Sequence, residues 1–160
     1  MTTIIDGSAG ITFPTGSNPQ AAPSKVLQVV SAVYGGTQIS TSSTSYVSAG
    51  FSVSITPQFS TSKILILVNS VITNSTASAT ANITVYRNST NLGSGSSNAL
   101  VSTTNTGGSY IWTPTSINYL DSPATTSSTT YSLYYNGSSG TTYFLYGACS
   151  NTITLMEIAA

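Results

Sequence analysis

Apolar and polar side chains alternate along much of the chain, which is the pattern of a β-strand with one buried face. The clearest case is "FSVSIT": Phe51, Val53 and Ile55 point one way, and the hydroxyl residues between them point the other. Pro57 directly after this run cannot donate to a strand ladder, so it ends the predicted strand. No stretch shows an apolar period of 3.6 residues, so the pattern predicts strands and no helix.

Similar runs recur every 10 to 15 residues between clusters of Gly, Asn, Ser and Pro. The run at 63–73 is apolar on both faces at first, which predicts a central strand covered on both sides. The runs at 129–136 and 141–148 flank a Gly-Ser-Ser-Gly turn, which predicts a hairpin. The other predicted strands lie at 24–34, 44–47, 81–88, 108–113, 116–120 and 151–159.

Eight or nine antiparallel strands within one domain predict an all-β fold, an antiparallel β-sandwich with jelly-roll topology. Residues 24–160 are the predicted sandwich head. Residues 1–23 precede it as an extended N-terminal arm that contains a short strand and a Pro-rich linker.

The arm contains the stretch "GITFPTGSNPQ" at residues 10–20, where a short strand has no evident partner. Pro14 holds Phe13 in extended backbone, and the following Pro-X-Gly sequence turns the chain. Apolar side chains in this arm have too few neighbours to be buried locally. We therefore expect the arm to add to a neighbouring subunit or to the surface that carries the protein. The predicted anchoring and assembly residues are Ile11, Phe13, Pro14 and Gly16.

Only 4% of the residues are charged, against about 25% in an ordinary soluble domain. The chain has 30 Ser and 27 Thr, so its surface is built from hydroxyls and amides. Natural sheets use charged side chains to keep exposed edges apart, and this chain has few to use. We therefore expect an obligate oligomer whose edges and faces are covered by other copies or by a larger assembly.

Charge and hydropathy also exclude two kinds of partner. Three basic and three acidic residues give a net charge of zero, which offers no basic patch for a phosphate backbone, so nucleic acid is not expected. The longest apolar run, at 64–68, is far shorter than the roughly 20 residues of a spanning helix, so no membrane segment is expected. A signal peptide is not expected either.

The chain offers little catalytic chemistry. It has no His, which removes the His-dependent triads and the commonest metal ligand. Asp121 precedes a Ser-Pro sequence and is expected to form a turn, whereas Glu157 is expected to pair with Arg87 or Lys63. Cys149 lies in an apolar stretch and is expected to be a buried, inert thiol. We expect no enzyme, no metal and no cofactor.

One cluster could be a binding site, because aromatic side chains crowd the C-terminal half. Their faces could make cross-strand or intersubunit pairs, contact another protein of an assembly, or stack on a glycan. The candidate interface or ligand residues are Tyr110, Trp112, Tyr131, Tyr134, Tyr135, Tyr143 and Tyr146, with Tyr119 nearby.

Five stretches together resemble short structural proteins of tailed bacteriophages, notably phages of marine and freshwater bacteria including cyanophages. In fibre-like relatives the opening motif commonly reads Gly-Ile-Thr-Phe-Pro-Asp-Gly, and Thr15 stands here in place of the Asp. The stretches are "GITFPTGS" (10–17), "SVSITPQFSTSKILILV" (52–68), "ITVYRNSTNLG" (83–93), "YLDSPATTSSTTYSL" (119–133) and "SNTITLMEIAA" (150–160).

The resemblance implies a non-enzymatic virion component, a homotrimer attached by its N-terminal segment to the major capsid or tail protein and displayed on the virion surface. The chain lacks a long shaft or coiled coil, which favours capsid decoration or a short head fibre over a long tail fibre. Two alternatives stay open: a tail fibre or receptor-binding tip that contacts host-surface glycans, and a carbohydrate-binding module.

Overall fold

The computed structural model describes residues 4–6, 10–12, 25–107, 110–145 and 149–159, the first two ranges as backbone only. All regular structure in these ranges is β-strand. The thirteen strands are β1 (Ile4–Asp6), β2 (Gly10–Thr12), β3 (Val26–Val33), β4 (Ile39–Thr41), β5 (Val47–Ile55), β6 (Lys63–Asn74), β7 (Thr80–Arg87), β8 (Thr90–Asn91), β9 (Val101–Thr104), β10 (Thr113–Asp121), β11 (Thr129–Gly137), β12 (Thr142–Phe144) and β13 (Thr152–Ile158).

The first sheet is built around β6, the longest strand among the described residues. On one edge β6 pairs antiparallel with β10 over the whole length of β10. On the other edge it pairs first with β13 and then, beyond Asn69, with β12. β3 and β4 pair with the far edges of β13 and β12, so the six strands form one antiparallel sheet.

The second sheet has the order β5, β11, β7 and β8, with β9 also paired to β7. β11 is its central strand and pairs antiparallel with β5 and with β7. The inner faces of the two sheets enclose the core. Buried members include Phe51 and Ile55 from β5, Ile64 and Ile66 from β6, and Leu155 from β13.

The pairing of the main strands is nested in sequence order. β3 pairs with β13, β5 with β11, β6 with β10, and β7 with β8 and β9. When β8 and β9 are counted as one, there are eight main strands in chain order. The first pairs with the eighth, the second with the seventh, the third with the sixth and the fourth with the fifth, which is the pairing of a jelly roll. The predicted all-β, jelly-roll sandwich is therefore confirmed.

The predicted hairpin of 129–136 with 141–148 is wrong. β11 lies in the second sheet, whereas β12 pairs with β4 and β6 in the first. The chain crosses between the sheets at the Gly-Ser-Ser-Gly turn, where the Asn74 Nδ2 donates to the Ser139 carbonyl and to the Thr142 Oγ1, both at 2.9 Å. These bonds from β6, together with the pairing of β12 with β4 and β6, hold β12 on the first sheet.

Two other strand predictions differ from the structure. The weak strand at 44–47 is replaced by β4 at Ile39–Thr41 and by β5, which begins at Val47. Residues 110–112 are not in a strand, since pairing with β6 begins only at Thr113, opposite Ile72.

In the arm, β2 has a partner: Ile11 lies opposite Ile5 of β1. A two-stranded hairpin alone is at best marginally stable in water.

Asp121 joins the two sheets instead of forming the predicted turn. It is the last residue of β10 and is buried among groups of the second sheet. The Arg87 guanidinium donates to its Oδ1 at 2.8 Å, and the Tyr131 hydroxyl donates to its Oδ2 at 2.7 Å. Burial, followed by the bond and charge of Asp121, raises the pKa of Tyr131 well above its ordinary value, although Arg87 acts in the opposite direction. Tyr131 therefore stays a neutral donor.

Glu157 makes a second polar cluster, and its partners are not the predicted cations. It is fully buried in β13, where its Oε2 accepts from the Gln28 side chain at 2.6 Å and its Oε1 accepts from the Gln58 backbone N–H at 2.7 Å. Desolvation by burial raises the pKa of Glu157 and is the largest single effect. The hydrogen bonds from the Gln28 side chain and from the backbone N–H groups of Gln58 and Phe59 act in the opposite direction, and the pKa is lowered overall.

The Arg87–Asp121 pair predicts a large effect of removing the cation. The side chain of Asp121 is only 6% exposed and that of Arg87 27%, so Arg87→Met leaves a buried carboxylate without its cation. We expect a loss of roughly 3 kcal/mol in the free energy of unfolding, near the low end for buried pairs because Arg87 is partly solvated. Urea unfolding measures this loss. Lys63→Met, at the exposed start of β6, is the matched control, and an equal effect of the two substitutions would contradict the pairing.

Glu157 predicts a pH dependence of stability with a defined sign. Because its pKa is lower in the folded chain than the ordinary 4.5, its contribution is complete above that value and is lost as pH falls through the folded pKa. Glu157→Gln removes this titration, so its stability should fall less steeply than that of the wild type between about pH 6 and about pH 3. Urea midpoints measured across this range test it, and parallel curves for the two proteins would refute it.

Candidate functional site

Four side chains form an open groove at one end of the first sheet. Gln38, Tyr110, Trp112 and Tyr143 line a cavity of about 240 Å³. The sequence predicted three of these as candidate ligand residues. Gln38 was missed, because no pattern marks an exposed Gln between Gly36 and β4 as a neighbour of residues 110–112.

Strand register places these side chains together. Tyr143 lies in β12 opposite Ser40 of β4 and Thr73 of β6. Its neighbours Thr142 and Phe144 are buried, so alternation directs Tyr143 to the outer face of the sheet. Gln38 immediately precedes β4 on one side of β12, and residues 110–112 lead into β10 on the other side of β6.

The two tyrosines of the groove meet edge to face, with ring centroids 5.3 Å apart and planes at 75°. This is a favourable arrangement for aromatic quadrupoles. Their hydroxyl oxygens lie 3.5 Å apart. The pKa of the Tyr143 hydroxyl is raised, chiefly by its hydrogen bond with Tyr110. The groove therefore presents two hydroxyls, an indole and an amide.

The other candidate aromatics do not join this groove. Tyr131 and Tyr135 are core residues, and Tyr135 packs against Phe144 with centroids 5.3 Å apart. Tyr134 stacks on Tyr86 on the outer face of the second sheet, with centroids 4.0 Å apart. Tyr146 lies outside the described residues. The predicted single cluster is thus divided between the core and two separate surfaces.

The predicted anchoring residues are only partly described. The backbone of Ile11 lies in β2, opposite Ile5. Phe13, Pro14 and Gly16 lie outside the described residues. Their proposed role in assembly stays a prediction.

A row of apolar side chains crosses the outer face of the first sheet. Val29 lies opposite Met156, Met156 opposite Leu65, and Leu65 opposite Leu120. Val29 is 55% exposed and Leu120 is 48% exposed, at the two edges of the sheet. We call these four side chains the apolar row. Val26, 50% exposed, extends it along the β3 edge.

The carboxylates of the head do not form a catalytic pair. Asp121 and Glu157 both lie opposite Ile64, one on each side of β6, so their backbones are about 10 Å apart. Both side chains are buried, and donors from the protein hold all four carboxylate oxygens. A glycosidase needs its two carboxyl groups open to a sugar and to water. The carboxyl groups of Asp121 and Glu157 are buried and reach neither.

Two further expectations concern metals and the thiol. The described residues contain no group of three or more His, Cys, Asp or Glu side chains that could hold a metal ion. Cys149 is exposed, in contrast to the prediction. It lies in the connection between β12 and β13 and not inside a strand. Within the described ranges, no helix has the length and apolar character to cross a membrane.

No family model matches the chain, and no curated protein matches it. Among solved structures, the chain is similar to the VP2 subviral particle of infectious bursal disease virus, at 12% identity over 92% of this chain and 44% of that chain, with a TM-score of 0.44. It is similar to the T13 particle of the same virus at 12% identity over 92% and 41% of the two chains, with a TM-score of 0.47.

A third similar structure is that of the Gt strain of infectious bursal disease virus, at 12% identity over 98% of this chain and 46% of that chain, with a TM-score of 0.43. The chain spans less than half the length of these viral chains. With TM-scores below 0.5, the assignment to a jelly roll rests on this chain's own strand pairing.

Proposed function

We propose that this protein is a non-enzymatic structural component of a virus particle. Its jelly-roll head is displayed on the particle surface as a homotrimeric capsid decoration protein or short head fibre, and residues 1–23 attach it to the major capsid or tail protein. The resemblance to structural proteins of tailed phages is the reason for placing the protein in a virus particle. The observation that carries the proposal is the apolar row on the outer face of the first sheet.

The apolar row needs a cover that the described head does not provide. Ile64, Ile66 and Val68 of β6 face the core and are buried, whereas Leu65 and Leu67 alternate with them on the outer face and are only half-buried. The sequence of β6 is that of a strand covered on both sides. In the described head one side is covered by the second sheet, and a second copy of the chain would cover the other side.

The distribution of charge favours another copy as this cover. The apolar row contains no charged residue, and Lys63 lies at its margin. Such a surface offers nothing to attract a strongly charged partner, but it matches the same neutral surface on a second copy. The β3 edge beside it has no Pro, Gly or charged residue between Val26 and Val33. Natural sheets seldom leave such an edge exposed.

The apolar row has the extent of an interface core and not of a complete interface. A stable interface takes about 20–30 residues on each side, so the four side chains of the apolar row would form only its centre. The polar residues around the apolar row, including Ser31, Thr154 and Asn118, would supply the polar rim that such interfaces have. The head therefore offers a small apolar centre within a broad hydroxyl surface.

The available chemistry supports a structural role. The chain has no His, and both carboxylates of the head are held by internal donors. The groove at Trp112 favours a second candidate function, a tail fibre or receptor-binding tip that contacts host glycans. A carbohydrate-binding module would use the same groove without assembling into a particle.

Self-association predicts the effect of charge placed at both ends of the apolar row. Val29→Asp with Leu120→Asp should dissociate the oligomer, because burying unpaired charge in an interface costs roughly 2–5 kcal/mol. Both side chains are about half exposed, so the head should still fold. Light scattering at low micromolar concentration measures the assembly, and urea unfolding verifies the fold.

The matched control is Ser52→Asp with Ser128→Asp, which adds the same charge at exposed positions outside the first sheet. This control should assemble as the wild type does. The proposal fails if the wild-type chain is a monodisperse monomer. It also fails if the variant with charge in the apolar row keeps the wild-type oligomer.

The arm predicts a separate result. Deletion of residues 1–23 should leave a folded, oligomeric head that no longer incorporates into particles, because the proposed attachment is lost. Ile11→Ser with Phe13→Ser should reproduce the defect, whereas Thr15→Asp, the residue of the fibre-like relatives, should be tolerated. Co-sedimentation with particles measures incorporation, and unchanged incorporation of the deletion variant would count against attachment through the arm.

A further inference from the structure

We propose that the groove formed by Gln38, Tyr110, Trp112 and Tyr143 binds one neutral sugar ring of a glycan. This assigns a ligand site to the head, in addition to its proposed structural role. The ring would stack on aromatic side chains, and the Gln38 amide and the tyrosine hydroxyls would bond to its hydroxyl groups.

The chemical lining of the groove fits a sugar. A pyranose has an apolar face of C–H groups and a perimeter of hydroxyls, so it needs aromatic faces and neutral donors in the same place. Trp112, Tyr110 and Tyr143 supply the aromatic surface, and Gln38 supplies an amide that both donates and accepts. An apolar ligand that covered the exposed Gln38 amide would remove its hydrogen bonds to water without replacing them, which costs free energy.

The size of the cavity limits what it can hold. Its volume of about 240 Å³ is below the roughly 300–1,000 Å³ of pockets that enclose a drug-sized ligand. One ring therefore seats in the groove, and the rest of an oligosaccharide would extend into solvent. An extended proline-rich peptide needs a series of aromatic-lined pockets along a groove, and this is a single open cavity.

The charges of the head are remote from the groove, which selects a neutral ligand. Asp121 and Glu157 lie opposite Ile64, and Arg87 is bound to Asp121. Lys63 begins β6, and Lys25 precedes β3 beside the end of β13.

All five of these charged residues lie near the start of β6, whereas the groove lies near Thr73. Eight or nine residues of strand separate these positions by about 27–30 Å. A phosphate or an acidic sugar would find no counter-charge among these groups.

The chain contains its own reporter for a binding experiment. Trp112 is its single tryptophan, so intrinsic indole fluorescence arises from the groove alone. The experiment titrates the full chain with D-glucose, D-galactose, D-mannose, N-acetylglucosamine and L-rhamnose, each to high millimolar concentration. We expect a saturable change of Trp112 fluorescence with at least one of these sugars.

Variants separate the groove from other aromatic surfaces. Tyr143→Ala and Gln38→Ala should each weaken binding about tenfold, a loss of about 1.4 kcal/mol. Tyr134→Ala is the matched control, because it removes a stacked, half-buried tyrosine from the second sheet and should leave sugar affinity unchanged. Urea unfolding verifies that each variant folds.

Three results would overturn the sugar site. One is the absence of a saturable change with every sugar of the panel. Another is equal affinity in the wild type and Tyr143→Ala. The third is binding of a synthetic peptide with the sequence of residues 18–24, "NPQAAPS", without binding of any sugar.

The variant with Val29→Asp and Leu120→Asp distinguishes this proposal from the structural one. The apolar row lies about 27 Å from the groove along β6, so this variant should bind sugar as the wild type does, even when it no longer assembles.

Discussion

The register of β6 against its neighbours is the constraint on which the rest of the structure depends. Its backbone pairs with β10 on one edge and with β13 and β12 on the other. Ile64 thereby lies between Asp121 and Glu157, Leu65 lies between Met156 and Leu120, and Thr73 lies opposite Tyr143. A shift by one residue would turn each of these side chains to the other face. Two buried polar clusters, the apolar row and the aromatic groove all follow from this one alignment.

The scarcity of charge has a spatial consequence in this fold. The five charged residues of the head gather at one end of the sandwich. Arg87 and Asp121 join the two sheets there, and Glu157 holds the connection between β5 and β6 through the backbone N–H groups of Gln58 and Phe59. The rest of the described surface is uncharged: hydroxyl, amide, aromatic and, in the apolar row, aliphatic. The charges stabilise one end of the fold, and the remaining surface is left for neutral contacts.

Prediction from sequence succeeded for strands in which apolar and polar residues alternate clearly. β5, β7 and β13 lie within a few residues of their predicted bounds, because the alternation of each is visible without knowledge of its partner. The hairpin of β11 with β12 was wrong because a Gly-rich turn indicates only that the chain reverses. Pairing with β6 and the hydrogen bonds from Asn74 place β12 on the other sheet, and residue 74 lies more than 60 residues away in sequence.

The candidate site shows the same division between what a single strand reveals and what the pairing of distant strands decides. The sequence by itself determined the all-β class, the central position of β6, the neutral surface and the presence of three of the four groove residues. The tertiary structure alone decided that Tyr131 and Tyr135 are core residues. It also decided that the carboxylates of Asp121 and Glu157 are buried, and that Gln38 lines the same groove as Trp112. Local pattern records which face of a strand is apolar, but the pairing of distant strands decides which side chains meet.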